Sequence, residues 1–564
     1  MNLHAELLMI LMQIILTPTM TKKIILVSII LVSLLAGCKS DLSDKSDNKA
    51  PALNEQKKNT RNLSINKDNA YNDIFLDSAD VENFIIAEKL NDTLSVAMRS
   101  FYNARNFEYA WFAKTGLIEQ SFSFHSLFCT ENDCDMFNKS LERRLDKLRI
   151  EEDSTIEAKD PSTIKTELQI TERFIQYARE EYKSMNISPA SLGTYIPAKK
   201  AAISDMADSI LANNNDNRNY AALNESYRIL KAPLLKYSAI AKAGGWPTII
   251  AGPAKYSSGS NAPAIALVKK RLQITGELNG SDTTSLFNTE LQNAVKTYQL
   301  NHGYKPTGEI TATLVKDMNI PAAKRVQQLL INMQRMRWMP TRPEGRLIIV
   351  NIPEFEVYVD SGKNILFQMD VVVGAEGHNT TMFSGNLNQI VFSPYWNIPP
   401  SIVKKEVLPG MKRDKNYLAK RDMEITGSEG GIPVVRQLPG KKNALGKVKF
   451  LFPNSFNIYL HDTPQKDLFK RSERDLSHGC IRLSDPVKLA NYLLQNSKNW
   501  TPEKIDSAMN CGQEQCVRLK NTVPVIITYY TAWVDQNGTL HFADDIYGHD
   551  NKMAMKMFSD PQIQ

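Results

Sequence analysis

Near residue 345 this chain changes its hydrophobic period, and the change limits it to a multidomain α+β fold. Before that point, Leu168, Phe174, Ile175 and Ala178 fall near one helical face, with Glu167, Glu172 and Arg173 elsewhere. After it, Phe355, Val357 and Val359 alternate with Glu354, Glu356, Tyr358 and Asp360, the period-two pattern of a half-buried strand. At 564 residues the chain is too long for one core. A length of this order predicts about three or four domains. A hydrophobic share of 42% with 23% charged residues fits ordinary globular folding rather than disorder. The net charge of +7 is spread among interleaved acids and bases. No dense basic tract argues for nucleic acid as a partner.

The amino terminus reads as an export signal over residues 1–38. Met20-Thr21-Lys22-Lys23 precedes the apolar run Ile24 to Leu35, and Ala36-Gly37-Cys38 closes it. The run is too short for an ordinary spanning helix, which needs about 20 apolar residues. A complete signal begins at Met20, so residues 1–19 read as an upstream-start artefact. Leu35-Ala36-Gly37-Cys38 resembles the bacterial lipobox. That resemblance implies lipidation of Cys38 and a membrane lipid anchor, on the periplasmic side of the cell envelope. Lys39 lacks an acidic retention signal, which favours the outer membrane. Residues 39–69 are rich in Ser, Asp, Lys and Asn and read as a flexible tether. A flexible segment of about 30 residues reaches on the order of 30 Å.

Residues 70–258 are expected to form a helical scaffold. Its aromatic patch, Phe101-Tyr102 with Tyr109-Ala110-Trp111, reads as core, with a groove as the alternative. Residues 262–320 predict three short helices, carried by Val268 and Leu272, by Leu291, Val295 and Tyr298, and by Ile310, Leu314 and Met318. A turn at Gly303 to Gly308 separates the last two. With Tyr298-Gln299 before that turn, the unit resembles the three-helix peptidoglycan-binding domain. A helix over 322–339 is expected to return to the scaffold.

The β-rich region is expected to span 345–548, with 549–564 as a C-terminal tail. Strands are predicted at Leu347 to Val350, Ile365 to Val373, Ile390 to Phe392, Val448 to Phe452, Asn457 to Leu460 and Pro524 to Tyr530. Asp535-Gln536-Asn537-Gly538 predicts a hairpin turn before Thr539 to Phe542. Asp485-Pro486 starts a helix whose apolar face carries Leu489, Leu493 and Leu494.

Within this region, His461 stands at a strand exit and Cys480 follows nineteen positions later, in the turn Ser477-His478-Gly479-Cys480. A cysteine nucleophile needs a base that raises its thiolate fraction, and imidazole is the usual one. Gly479 lets the backbone turn tightly, and such a turn aims amides at one point, as an oxyanion site requires. A buried core cysteine is the bland alternative.

His461, then Ser477-His478-Gly479-Cys480-Ile481-Arg482, resembles the L,D-transpeptidase signature. The wider chain resembles the long periplasmic form of that family, with scaffold, peptidoglycan-binding domain and catalytic domain. Tyr395 to Ser401 and Tyr459 to Pro464 carry that likeness, as does an insertion at about 401–447 that caps the cleft in the family. The resemblance implies Cys480 as nucleophile and His461 as general base, oriented by the backbone carbonyl of Asp462. It implies oxyanion donors at Gly479 and Cys480, His478 as a supporting residue, and Ser477 and Arg482 shaping the acyl-donor site. Tyr459 and Trp396 are candidates for the cleft wall. The implied reaction forms cross-links between diamino acids of peptidoglycan stem peptides, which serve as donor and acceptor, through a cysteine thioester. Carbapenems are the implied inactivators. An L,D-carboxypeptidase or a wall-protein attachment enzyme shares the same fold, and a non-enzymatic peptidoglycan-binding lipoprotein is the remaining rival. Accessory wall-synthesis proteins are candidate partners. No cofactor is expected, because a thioester conserves the acyl energy and the sequence lacks a phosphate-loop signature. The other cysteines form two close pairs, Cys129 with Cys134 and Cys511 with Cys516, candidate disulfides outside the cytoplasm. Neither pair has metal-knuckle spacing, so no metal site is expected.

Overall fold

The computed structural model describes residues 60–131, 139–150, 155–181, 195–212, 225–250, 255–338, 345–362 and 364–561. The signal region, Cys38, Cys134 and most of the tether lie outside them. No helix among the described residues is long and apolar enough to cross a membrane.

The helical scaffold forms as its periodicity predicts. Asn91 caps the helix Asp92–Ala104 by accepting from the Leu94 amide. The aromatic patch is core, with Tyr102 and Trp111 fully buried. Glu167, which falls off the apolar stripe in the sequence pattern, is buried beside that patch. Its carboxylate accepts from the amides of Ala110 (2.6 Å) and Trp111 (2.9 Å) and from the Tyr102 hydroxyl (3.0 Å). These donors replace the water that burial removes. Burial still pushes its pKa up to about 7, against the pull of the two amides.

The small domain consists of the helices Pro263–Thr275, Thr289–Asn301 and Ala312–Met318 around their own core. Gln299 closes its glycine turn: its amide group donates to the Glu309 carbonyl (3.0 Å) and accepts from Gly308 N–H (2.8 Å). The helix Ala322–Met336 then packs in the scaffold core, as expected.

The C-terminal segment corrects two boundaries. The hairpin Ala532–Val534 with Leu540–Phe542 packs partly in the scaffold core, not wholly with the β domain. Residues 549–564 are not a plain tail, since His549–Met557 is a helix that buries Met553, Ala554 and Met557 in that same core. These residues recur at helical spacing on one face. Arg335 fixes the helix start, donating to Asp550 Oδ1 (2.5 Å) and Glu119 Oε1 (2.7 Å).

Nine strands form the β domain: β1 (Leu347–Asn351), β2 (Glu356–Asp360), β3 (Ile365–Gly374), β4 (Ser384–Phe392), β5 (Val448–Leu451), β6 (Leu460–His461), β7 (Asp475–Ser477), β8 (Ile481–Leu483) and β9 (Gln515–Thr528). Their order is β7-β3-β8-β6-β5-β4-β9-β1-β2, and β2 also pairs with β3. That last pairing closes every strand but β7 into a ring around a core rich in Val, Ile, Leu and Phe. The strand expected at Asn457 to Leu460 begins only at Leu460. Asn457 takes a left-handed φ of 55°, and the Asn454 side chain folds a turn by accepting from the Phe456 and Ile458 amides. The helix Pro486–Leu494 starts as predicted, with Asp485 accepting from Lys488 N–H.

Residues 396–437 build a separate cover. Trp396–Asn397, Met423–Glu429 and Ile432–Gln437 make a three-stranded sheet, and a helical run occupies 400–413. Its core is small: Ile398, Val403, Val407 and Val435 are its buried apolar residues.

Candidate active site

Strands β6 and β8 pair in parallel, Leu460 opposite Ile481 and His461 opposite Arg482. The Ile481 amide donates to the Tyr459 carbonyl at 3.1 Å. Leu460, Ile481 and Leu483 point into the core and are fully buried. Strand alternation therefore sends Tyr459 and His461, with Cys480 and Arg482 beside them, to the opposite face.

The turn that carries Cys480 is tightly tied. Gly479 sits at φ +106°, a left-handed conformation that favours glycine. Ser477 Oγ donates to the Cys480 carbonyl (2.6 Å) and accepts from the Gly479 amide (3.1 Å). Ser477 thus corrects its expected role, because it is buried and its hydroxyl is consumed within the turn, away from any donor substrate. The Gly479 amide is likewise engaged and is not a free oxyanion donor. The Cys480 amide has no acceptor among the described residues.

Cys480 is half-buried, and its thiol donates toward the Asn457 carbonyl at 3.6 Å. Burial raises its pKa, against hydrogen bonds from Tyr459 and the nearby Arg482 charge. Tyr459 is itself raised by burial and by the neighbouring sulfur. His461 is buried, and burial together with the Arg482 charge lowers its pKa to about 3, against the carbonyls of Asp462 and Leu445. Its Nδ1 meets the Asp462 carbonyl, the orientation the sequence led us to expect. Nδ1 is then the protonated nitrogen and Nε2 the basic one. No hydrogen bond joins His461 to the Cys480 thiol among the described residues.

Asp462 is buried, and its carboxylate accepts from Lys447 N–H (2.8 Å) and Lys466 Nζ (2.8 Å). Its carboxylate is thus consumed in supporting the His461 loop. Arg482 Nη1 donates to Gln465 Oε1 (2.6 Å), while its buried Nε has no partner among the described residues. His478 is exposed and lies across from the cover, its Nε2 3.1 Å from Glu406 Oε1. The His378 ring stands 5.2 Å away.

Two clefts meet at Asn457 and Ile458. One, of about 390 Å³, is lined by Cys480, Gly479, His478, His378 and Asn379. The other, of about 510 Å³, lies beyond Tyr459 and is lined by Asn388, Gln389, Asn454 and Arg518. Trp396 lines neither; it packs against the small core of the cover, which corrects its expected place on the cleft wall. No group of His, Cys, Asp and Glu able to hold a metal occurs among the described residues.

Residues 345–527 match the family described as "L,D-transpeptidase catalytic domain". They are such a domain. Residues 96–234 match "Scaffold domain" and 261–318 match "Putative peptidoglycan binding domain". A Haemophilus influenzae protein named "Putative L,D-transpeptidase" is 32% identical over 274 residues, 45% of this chain and 54% of that protein. The chain thus spans about half the length of that curated relative. Among solved structures, an L,D-transpeptidase from Mycobacterium smegmatis aligns at 14% identity over 32% of this chain and 58% of that one, with a TM-score of 0.19. One from Stackebrandtia nassauensis aligns at 14% over 50% and 96%, with a TM-score of 0.20. Scores this low add nothing to the assignment, which rests on the matched domains.

The transpeptidase domain corrects one cysteine pair. Cys511 and Cys516 are free thiols. Cys511, just past the helix Pro502–Asn510, directs its sulfur to the Ala508 (3.3 Å) and Gln513 (3.2 Å) carbonyls, while Cys516 lies in β9 opposite Val391. Cys129, in the scaffold, is disulfide-bonded. Asn457, His378 and Glu406 were missed in the sequence. Asn457 left a faint signal, since asparagine tolerates the left-handed region; the other two come from segments with no motif.

Proposed function

We propose that this protein is a peptidoglycan L,D-transpeptidase with Cys480 as nucleophile and His461 as base. One observation supports this most: a transpeptidase domain presents Tyr459, His461, Cys480 and Arg482 on one face of β6 and β8, beside two clefts that share a wall. The thiol swings from the Asn457 carbonyl toward His461 Nε2 and gives up its proton. The thiolate attacks the carbonyl joining the L-centre of a diamino acid to the terminal D-alanine of a tetrapeptide stem. D-Alanine leaves with a proton, and a thioester remains. The side-chain amine of a neighbouring stem attacks the thioester, forms the amide cross-link and returns the thiol. Arg482, whose charge lies near Cys480, suits the donor's carboxylate. In this reading Cys38 carries the lipid anchor, and the small helical domain holds the enzyme at the wall, on the periplasmic side of the envelope and at the outer membrane.

The test incubates the protein with tetrapeptide muropeptides and reads products by mass spectrometry. A dimer formed with loss of D-alanine is expected, blocked by a carbapenem adduct on Cys480. Free tripeptide in place of dimer means that water is the acceptor. Dimer formation by Cys480→Ala overturns the nucleophile.

A further inference from the structure

The Cys480 turn is held through the loop after β3, and one of the holding residues lies outside the matched domain. Thr380 is buried in the loop after β3, and its hydroxyl donates to the Gly479 carbonyl at 2.8 Å. The same oxygen accepts from the Gly374 amide at 2.9 Å. The loop folds back so closely that a Cβ on Gly374 would lie 2.0 Å from the His378 carbonyl. Tyr547 clamps it from outside: its hydroxyl donates to the Gly374 carbonyl (2.5 Å) and accepts from the Thr380 amide (3.4 Å). Tyr547 lies beyond residue 527, where the family match ends. It belongs to the segment that runs back to the scaffold. Its amide donates to the Tyr529 hydroxyl (2.8 Å), which donates to Asp545 (2.8 Å), and Arg335 of the scaffold helix lies over the Tyr529 ring at 5.2 Å.

We propose that Thr380 and Tyr547 are positioning residues that fix the height and angle of the Cys480 turn through the loop after β3. Neither touches substrate. Each hydroxyl both donates and accepts between two backbone segments, so the Gly479 carbonyl moves only if the loop after β3 moves. This rests on the reading of Cys480 as nucleophile.

The test compares kcat and KM of the full chain on tetrapeptide muropeptides for Thr380→Val, Thr380→Ser and Tyr547→Phe, with Cys480→Ala beside them. Misplacing a reacting group by about 1 Å costs up to ~10²-fold, so Thr380→Val and Tyr547→Phe are expected to lower kcat at least ~10-fold with little change in KM. Thr380→Ser restores the hydroxyl and is expected to restore kcat. A purely structural role lowers the melting temperature but leaves the kcat of the folded protein intact. Wild-type kcat in folded Thr380→Val and Tyr547→Phe, with Cys480→Ala inactive, overturns the positioning role alone. Turnover by Cys480→Ala overturns both readings. Should Thr380→Val fail to fold, Tyr547→Phe decides, because it removes one hydroxyl and keeps the ring; unchanged kcat there overturns the proposal.

Discussion

The Cys480 turn and the cover above it are built on opposite principles. The turn is pinned by Ser477 from within and by Thr380 from below, and it grows from a closed ring with a large core. The cover has four buried apolar residues and reaches the turn through an exposed Glu406–His478 contact. Chemistry that needs sub-ångström placement sits on the over-determined part. Access, which needs movement, falls to the part with little burial to lose.

The sharpest way to break this contrast is to remove the proposed nucleophile. Cys480→Ala should abolish dimer formation in the muropeptide assay while leaving the melting temperature near that of the parent. His461→Gln should lower kcat by roughly 10²–10⁴-fold, the usual worth of a positioned base. His461 also carries a stability signature. Its folded pKa is about 3 against an ordinary 6.5, so between those values the unfolded chain takes up a proton that the folded chain refuses. Its contribution is complete above about pH 6.5 and is lost as pH falls toward 3. Denaturant melts across that window should show a shallower acid loss in His461→Gln.

Thiol labelling sharpens the comparison at the next scale. Burial raises Cys480, whereas exposed Cys511 is lowered by its hydrogen bonds. Near neutral pH iodoacetamide should modify Cys511 roughly tenfold faster than Cys480, read by peptide mass spectrometry. Val435→Ala should destabilise the cover by ~1–3 kcal/mol. Hydrogen exchange should then rise in 396–437 and stay unchanged in the ring. Glu406→Gln should act least, because the contact is half-exposed and worth at most ~1 kcal/mol. A several-fold change in KM alone is the expected outcome.

Much of this was legible beforehand, and the failures have physical causes. Period-two alternation located β2, and β1 was legible as a short apolar run. The parallel register of β6 with β8, which puts His461 and Cys480 on one face, is non-local, and no sequence period encodes it. Glu167 falls off the apolar stripe in the sequence pattern, yet three donors from other segments made it core. Ser477 read as a substrate contact from its place beside Cys480, yet its hydroxyl was needed to close the turn. Cys511 and Cys516 are close in sequence, but a helix end and a strand start send them to different partners. Thr380 and Tyr547 are ordinary residues in ordinary loops, and only the fold brings them to the Gly479 carbonyl.

The returning C-terminal helix has a consequence for the order of synthesis. The scaffold comes early in the chain, yet Met557 and Phe558 complete its core, and Lys556 reaches Asn72 across 484 positions. That core therefore stays unfinished until residues 553–558 have been made. Loop-closure entropy must be met before those contacts reward it, so this joint should be late and slow. A chain cut before Met553 would keep every proposed catalytic side chain and still leave the scaffold core open.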